Sequence, residues 1–411
     1  MNITIRPTLL KGSIIPPPSK SQAHRAVIAA ALAGGVSTLD HIARSQDITA
    51  TLSCMAAMGA GVERNGETAA RIQGLDRSAS RKDSGLIRFH CGESGSTLRF
   101  LIPVALAVSG GGVFTGEGRL MERPQKPYFD LFEEKGIFCR QTDGVLTVKG
   151  QLKPGTYRLP GNVSSQFITG LLYALPLLGG DSEIVLTTPL ESEGYVDMTL
   201  EVLEQFGIRV LRQENRFAVP GGQQYQNRDM SIEGDWSQAA FWYAARALGS
   251  DVAVGGLNEA SVQGDRVIAQ QFERLTAPGD MTLDVSQCPD LVPALAAMAA
   301  VRQGKTYIIN AARLRIKESD RLAAVTNVLG SMGADVTEQP EGLTVAGKEG
   351  LAGGVRVDSC NDHRIAMMAA IAATRCERPV TVMGAQCVAK SYPGFWEDYE
   401  KLGGIINIEQ E

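Results

Sequence analysis

Six times along this chain a small or polar cluster opens an apolar, alanine-rich stretch that runs toward glycine. The openings are Ser19-Lys20-Ser21, Ser94-Gly95-Ser96-Thr97, Ser164-Ser165-Gln166, Asp235-Trp236-Ser237, Pro289-Asp290 and Asn361-Asp362-His363-Arg364. Most are about 70 residues apart, the behaviour of an internal structural repeat. Ser, Asp and Asn suit helix N-caps because their side-chain oxygens accept orphan backbone N–H groups. Lys20, Arg25, Arg99, Asp290, Asp362 and Arg364 share these openings. A helix N-terminus already carries partial positive charge, so added cations there are unfavourable without a compensating anion. Ordinary core helices with solvated caps would explain the serines. The cations point instead to phosphate or carboxylate ligands.

The chain has 411 residues, 44% hydrophobic and 21% charged, which predicts a well-packed protein of two domains. Its net charge of −5 argues against a nucleic-acid partner. The one local basic cluster, Arg77, Arg81 and Lys82, is small and mixed with acidic residues. A cationic pocket in a mildly acidic protein therefore suits a small anion. The seven cysteines are scattered without a CxxC pair and read as reduced thiols of a cytoplasmic protein. The four histidines show no metal-ligand spacing, and no apolar stretch is long enough for a bilayer, so neither a metal nor a membrane is expected.

Each repeat also contains a second, amphipathic helix followed by glycine and a β-branched strand. Leu200, Leu203 and Phe206 share one face before Gly207, and Asp320 to Leu329 precede Gly330 in the same way. Similar helices are predicted at 47–59, 128–135, 266–275 and 395–402. Strands are predicted at 145–148, 183–186, 306–309 and 343–345. The unit reads as strands interleaved with two helices over about 65–70 residues, an α/β architecture. One helix per unit is apolar around its circumference and must be buried on every side. Three such helices bundled per domain give two domains whose helix N-termini face a shared cleft.

Lys20-Ser21-Gln22-Ala23-His24-Arg25 places a lysine and an arginine at one helix start. In Arg315-Ile316-Lys317-Glu318-Ser319-Asp320-Arg321, Lys317 and Arg321 fall at i and i+4, a like-charge pairing that costs a few tenths of a kcal/mol on a helix. A solvated face screened by Glu318 and Asp320 is one reading. The other is a cation pair gripping an anion beside a carboxylate free for proton transfer. Arg123 follows a glycine-rich stretch in a loop, and Lys390 stands at a strand-to-turn junction. Lys20, Arg25, Arg123, Lys317, Arg321, Arg364 and Lys390 are more cation than one phosphate needs, so two anionic substrates are expected.

Lys20-Ser21 with Arg25, Ser164-Ser165-Gln166-Phe167, Lys317-Glu318-Ser319-Asp320-Arg321 and Asn361-Asp362-His363-Arg364, in this order over the whole chain, resemble the 5-enolpyruvylshikimate-3-phosphate synthase family. The resemblance implies a two-domain inside-out α/β barrel, each domain of three βαβαββ units with buried central helices. Residues 1–18 with 233–411 would form one domain and 19–232 the other, with the active site in the cleft between them. It implies transfer of the enolpyruvyl group of phosphoenolpyruvate to the 5-hydroxyl of shikimate 3-phosphate, with loss of phosphate and no cofactor. Carried over by position, Lys20, Ser21, Arg25, Ser164, Ser165, Gln166, Ser192, Asp290, Arg313 and Lys317 would hold shikimate 3-phosphate. Lys20, Gly95, Arg123, Gln166, Arg321, Arg364 and Lys390 would hold phosphoenolpyruvate. Asp290 and Glu318 would transfer protons, with Lys20 as the alternative shuttle.

A monomer is expected. Glu93 stands where the family usually has asparagine, and it could pair with Arg123 or Lys390 or weaken anion binding. Arg313 replaces an asparagine of some members and would add a donor. Gly95 keeps the small residue on which inhibition by glyphosate depends, so inhibition is expected. The sister enzymes that act on UDP-N-acetylglucosamine open with Lys-Asn and carry a cysteine in the loop matching 115–123, where this chain has none. A catalytically silent anion-binding protein would not need Lys20, Asp290, Glu318, Arg321 and Lys390 together.

Overall fold

The computed structural model describes residues 1–66, 68–76 and 85–409. Arg77, Arg81 and Lys82 lie outside the described residues. The chain divides into a continuous unit, Pro18–Ile232, and a discontinuous one, Met1–Pro17 with Glu233–Glu411. Each has its own apolar core.

The continuous unit carries α1 (Lys20–Leu32), α2 (Gln46–Met58), α3 (Gly95–Ser109), α4 (Lys126–Glu134), α5 (Ser165–Ala174) and α6 (Glu193–Gln205). From Gln22 to Leu32 every residue of α1 is buried, and α3 is buried from Thr97 to Leu106. Helices with no polar face can only be satisfied this way. Their ends follow local chemistry. Ser19, Ser94 and Ser164 each accept a backbone N–H of the first turn. Gly59 closes α2 at φ +118, a conformation that side chains other than glycine rarely adopt.

The discontinuous unit carries α7 (Trp236–Ala247), α8 (Ile268–Thr276), α9 (Val292–Ala300), α10 (Arg321–Ser331), α11 (His363–Ala373) and α12 (Phe395–Lys401). Here α9 and α11 are buried over their full lengths, and Asp235 and Asp362 cap α7 and α11. Pro289-Asp290, expected to open a buried helix directly, forms a short 3-10 turn before α9.

Around these helices lie open sheets with one recurring pattern. In the continuous unit, Ile87–His90 runs parallel to Gly111–Thr115, which pairs antiparallel with Val145–Lys149, itself antiparallel to Phe138–Thr142. The strands Gly155–Leu159, Ser182–Leu186, Arg216–Val219 and Leu211–Gln213 repeat that order. So do Met281–Asp284, Lys305–Ile309, Gly342–Ala346 and Asp335–Gln339 in the discontinuous unit. There, Asn2–Arg6 sits antiparallel between Val380–Met383 and Ile405–Glu409, with Ile3 opposite both Val382 and Ile408. Among the described residues no sheet closes on itself. The barrel expected from the sequence is therefore not a hydrogen-bonded one, and the architecture is a mixed α/β fold in two units.

Candidate active site

Two clusters of expected site residues form, one in each unit. In the continuous unit the cluster gathers at the N-termini of α1, α3 and α5. Lys20 Nζ donates to Asp47 Oδ2 at 2.8 Å, pinning α1 to α2. Arg25 is 2% exposed and gives Nε to Thr199 Oγ1 at 2.9 Å, Nη1 to the Ser21 carbonyl at 2.7 Å and Nη2 to the Tyr195 carbonyl at 2.8 Å. Its guanidinium also lies 5.2 Å from the Phe100 ring centre. Burial lowers its pKa to about 10. Arg25 thus ties α1 to α6, whose first turn follows Ser192, a buried residue at φ +55.

Gln166, in the first turn of α5, is held from both ends. Its amide nitrogen donates to Ser96 Oγ at 3.0 Å, and its oxygen accepts Arg99 Nη1 at 2.8 Å. Arg99 stacks 4.8 Å from the Phe167 ring centre and donates to the Pro124 carbonyl at 3.0 Å. This positions the segment carrying Arg123, which leaves a 3-10 turn at Leu120–Glu122 where a loop was expected. A Cβ on Gly95 would stand 2.8 Å from Arg123 Nη1, so the absence of a side chain is what admits the guanidinium. Ser164 caps α5 and Ser165 is buried beside it. Glu93 is half-buried against the turn at Gly118, where a Cβ would come 2.5 Å from its Oε2.

In the discontinuous unit an ion web surrounds Arg321, which is 1% exposed. Its Nη1 donates to Asp290 Oδ1 at 2.9 Å, its Nη2 to Glu318 Oε2 at 2.7 Å, and its Nε to Asp362 Oδ2 at 2.8 Å. Burial opposes its charge, but Asp362, Glu318 and Asp290 together outweigh it and raise its pKa. Asp290 also meets Lys317 Nζ and Arg364 Nη2, each at 3.3 Å, while its carbonyl accepts Arg364 Nη1 at 3.1 Å. Asp362 accepts Ser319 Oγ and the Arg364 backbone N–H, each at 3.0 Å. Burial lowers the Lys317 pKa, and the Asp290 charge offsets part of that effect. Lys390 Nζ donates to the Asn361 carbonyl at 2.6 Å from a 3-10 turn over Ala385–Lys390, and Arg313 Nη2 to the Ser286 carbonyl at 2.6 Å.

Two expectations need correction. Lys317 and Arg321 do not share a helix. Lys317 is extended, at φ −86 and ψ −156, and Asp320 starts α10 by accepting the Ala323 N–H. The strong N-cap ends the irregular segment three residues after Lys317. Nor are Lys20, Lys317, Arg321 and Arg364 uncompensated: Asp47, Asp290, Glu318 and Asp362 serve as their internal counter-ions. Sequence reasoning missed Asp47 because an acid in a first helical turn reads as a dipole partner. It treated Asp362 only as a cap.

Residues 5–399 match the sequence model of EPSP synthase (3-phosphoshikimate 1-carboxyvinyltransferase). The 3-phosphoshikimate 1-carboxyvinyltransferase of Clostridium kluyveri is 47% identical, over 98% of both chains, and that of Clostridium acetobutylicum 45%, again over 98% of both. A solved EPSP synthase from Acinetobacter baumannii superposes with a TM-score of 0.82 over 100% of both chains at 26% identity. The chain therefore belongs to the EPSP synthase family of enolpyruvyl transferases, the enzymes that act on the shikimate route toward aromatic amino acids.

Proposed function

We propose that the two clusters act together on one pair of substrates, phosphoenolpyruvate and shikimate 3-phosphate, in a monomeric cytoplasmic enzyme. Six βαβαββ units would build it, a reading the recurring sheet order supports, with the chain crossing between units near residues 18 and 232. Ser21, Arg25, Ser164, Ser165, Gln166, Ser192, Arg313 and Lys317 hold shikimate 3-phosphate. Lys20, Gly95, Arg123, Gln166, Arg321, Arg364 and Lys390 hold phosphoenolpyruvate. Cations supplied by both units would place two anions that otherwise repel, so positioning and charge neutralisation lower the barrier.

The observation that carries the chemistry is that a single guanidinium, Arg321, grips Glu318 and Asp290 on neighbouring nitrogens. Glu318 delivers a proton to the methylene carbon of phosphoenolpyruvate while Asp290 accepts the 5-hydroxyl proton, with Lys20 as the alternative shuttle. The hydroxyl oxygen bonds to C2, giving a tetrahedral intermediate. Glu318 then takes a proton back from the methyl group as the C2–O bond to phosphate breaks. Phosphate release on mixing the protein with both substrates tests the reaction. Glu318→Gln should bind both ligands yet lose turnover by about a thousandfold or more. Normal turnover in that variant would remove Glu318 from the mechanism.

A further inference from the structure

Beneath the first turns of α1, α2 and α3 runs a chain of buried polar side chains that the reaction as derived above does not use. His24 Nδ1 lies 2.7 Å from Thr51 Oγ1, Thr51 Oγ1 lies 2.6 Å from Thr97 Oγ1, and Thr97 Oγ1 donates to Ser94 Oγ at 2.7 Å. All four residues are at most 1% exposed. A hydroxyl has one hydrogen to give, so the direction of every link follows from the last. Thr97 spends its hydrogen on Ser94, so Thr51 gives its own to Thr97 at 2.6 Å in preference to the Asp47 carbonyl at 3.4 Å, and His24 donates from Nδ1 to Thr51. His24 is thereby fixed as the Nδ1–H tautomer. Its Nε2 is an unprotonated nitrogen with no hydrogen-bond partner among the described residues. Burial first, then the Lys20 and Arg25 charges, push its pKa well below the usual imidazole value, which keeps this ordering intact.

The chain joins two places that matter. His24 is one helical turn after Lys20, and Thr51 one turn after Asp47, so the 2.8 Å Lys20–Asp47 pair and the His24–Thr51 bond form successive rungs between α1 and α2. At the far end Ser94 Oγ also accepts the Thr97 N–H, so it caps α3 at the residue before Gly95. Links of this kind polarise one another in a dry interior and strengthen together.

We propose that His24, Thr51 and Thr97 form a positioning chain that sets the first turn of α3, and with it the Gly95–Arg123 pair, for phosphoenolpyruvate. The proposal rests on the assignment of that pair to phosphoenolpyruvate given above. Thr51 and Thr97 are positioning residues, since neither is placed against a substrate.

Thr51→Val keeps shape and volume but removes both the donor and the acceptor in mid-chain. Steady-state kinetics on the full-length protein should show the KM for phosphoenolpyruvate raised about tenfold. The KM for shikimate 3-phosphate and kcat should stay within about threefold of wild type, and Thr51→Ser should restore wild-type values. Should Thr51→Val not fold, Thr97→Val breaks the next link and carries the same expectation. An unmoved KM for phosphoenolpyruvate, an equal rise in both KM values, or failure of Thr51→Ser to rescue would each overturn the proposal. Absence of turnover in the wild type would instead remove the substrate reading, and the proposal with it.

Discussion

Asp362→Asn tests the ion web most directly, because it changes a charge and almost no volume. Asp362 is fully buried and accepts four hydrogen bonds, two of them from Arg321 at 2.8 and 3.3 Å. The others come from Ser319 Oγ and the Arg364 N–H. The amide keeps one oxygen for capping α11, but it turns an N–H₂ toward Arg321 Nε, which cannot accept from it. Removing one partner of a buried ion pair costs about 3–5 kcal/mol. Arg321 retains Asp290 and Glu318, which places the expected loss at the lower end, about 3 kcal/mol. The assay follows from composition. All three tryptophans, Trp236, Trp242 and Trp396, lie in the discontinuous unit, so urea unfolding followed by their fluorescence reports that unit alone. With a slope of about 2–3 kcal/mol per molar urea, the midpoint should fall by about 1–1.5 M. A shift under about 0.3 M would refute the view that Asp362 is an indispensable internal counter-ion.

Gly95→Ala should leave stability within about 1 kcal/mol of wild type, since the clash falls on the flexible end of Arg123. It should raise the KM for phosphoenolpyruvate and weaken inhibition by glyphosate, both read from initial rates; unchanged values would separate Gly95 from that pocket. Lys317→Met should raise the KM for shikimate 3-phosphate about tenfold or more, as expected for loss of a charge-assisted contact. An unchanged KM would make Lys317 only a partner of Asp290.

What the sequence revealed and what it hid divide by distance along the chain. The buried helices were legible because caps are local: Ser19, Ser94, Asp235 and Asp362 each bond a backbone N–H two or three residues on. Apolar periodicity located the second helices for the same reason, although α4 begins at Lys126 rather than 128. Glu318 beside Arg321 was legible, but the pairing of Lys20 with Asp47 and of Arg321 with Asp290 and Asp362 was not. Which carboxylate meets which cation is decided by how helices pack, and only Glu318 is near Arg321 in sequence. The reading of Lys317 and Arg321 as one helical face failed because the capping strength of Asp320 competes with helical continuity between them. The His24–Thr51–Thr97 chain was equally hidden, since threonines inside amphipathic helices carry no distinguishing mark.

The strand Asn2–Arg6 finds its neighbours at Val380–Met383 and Ile405–Glu409, and the Thr4 and Thr381 hydroxyls that touch at 2.7 Å are 377 residues apart. On the ribosome, this segment must wait unpaired until those later strands have been made. The intervening unit, Pro18–Ile232, meanwhile emerges complete and can collapse by itself. Nascent chains stalled after the Pro18–Ile232 unit has emerged but before residue 380 would hold one finished lobe and a dangling β-segment, and release of residues 380–409 would be the event that stitches Asn2–Arg6 into its sheet.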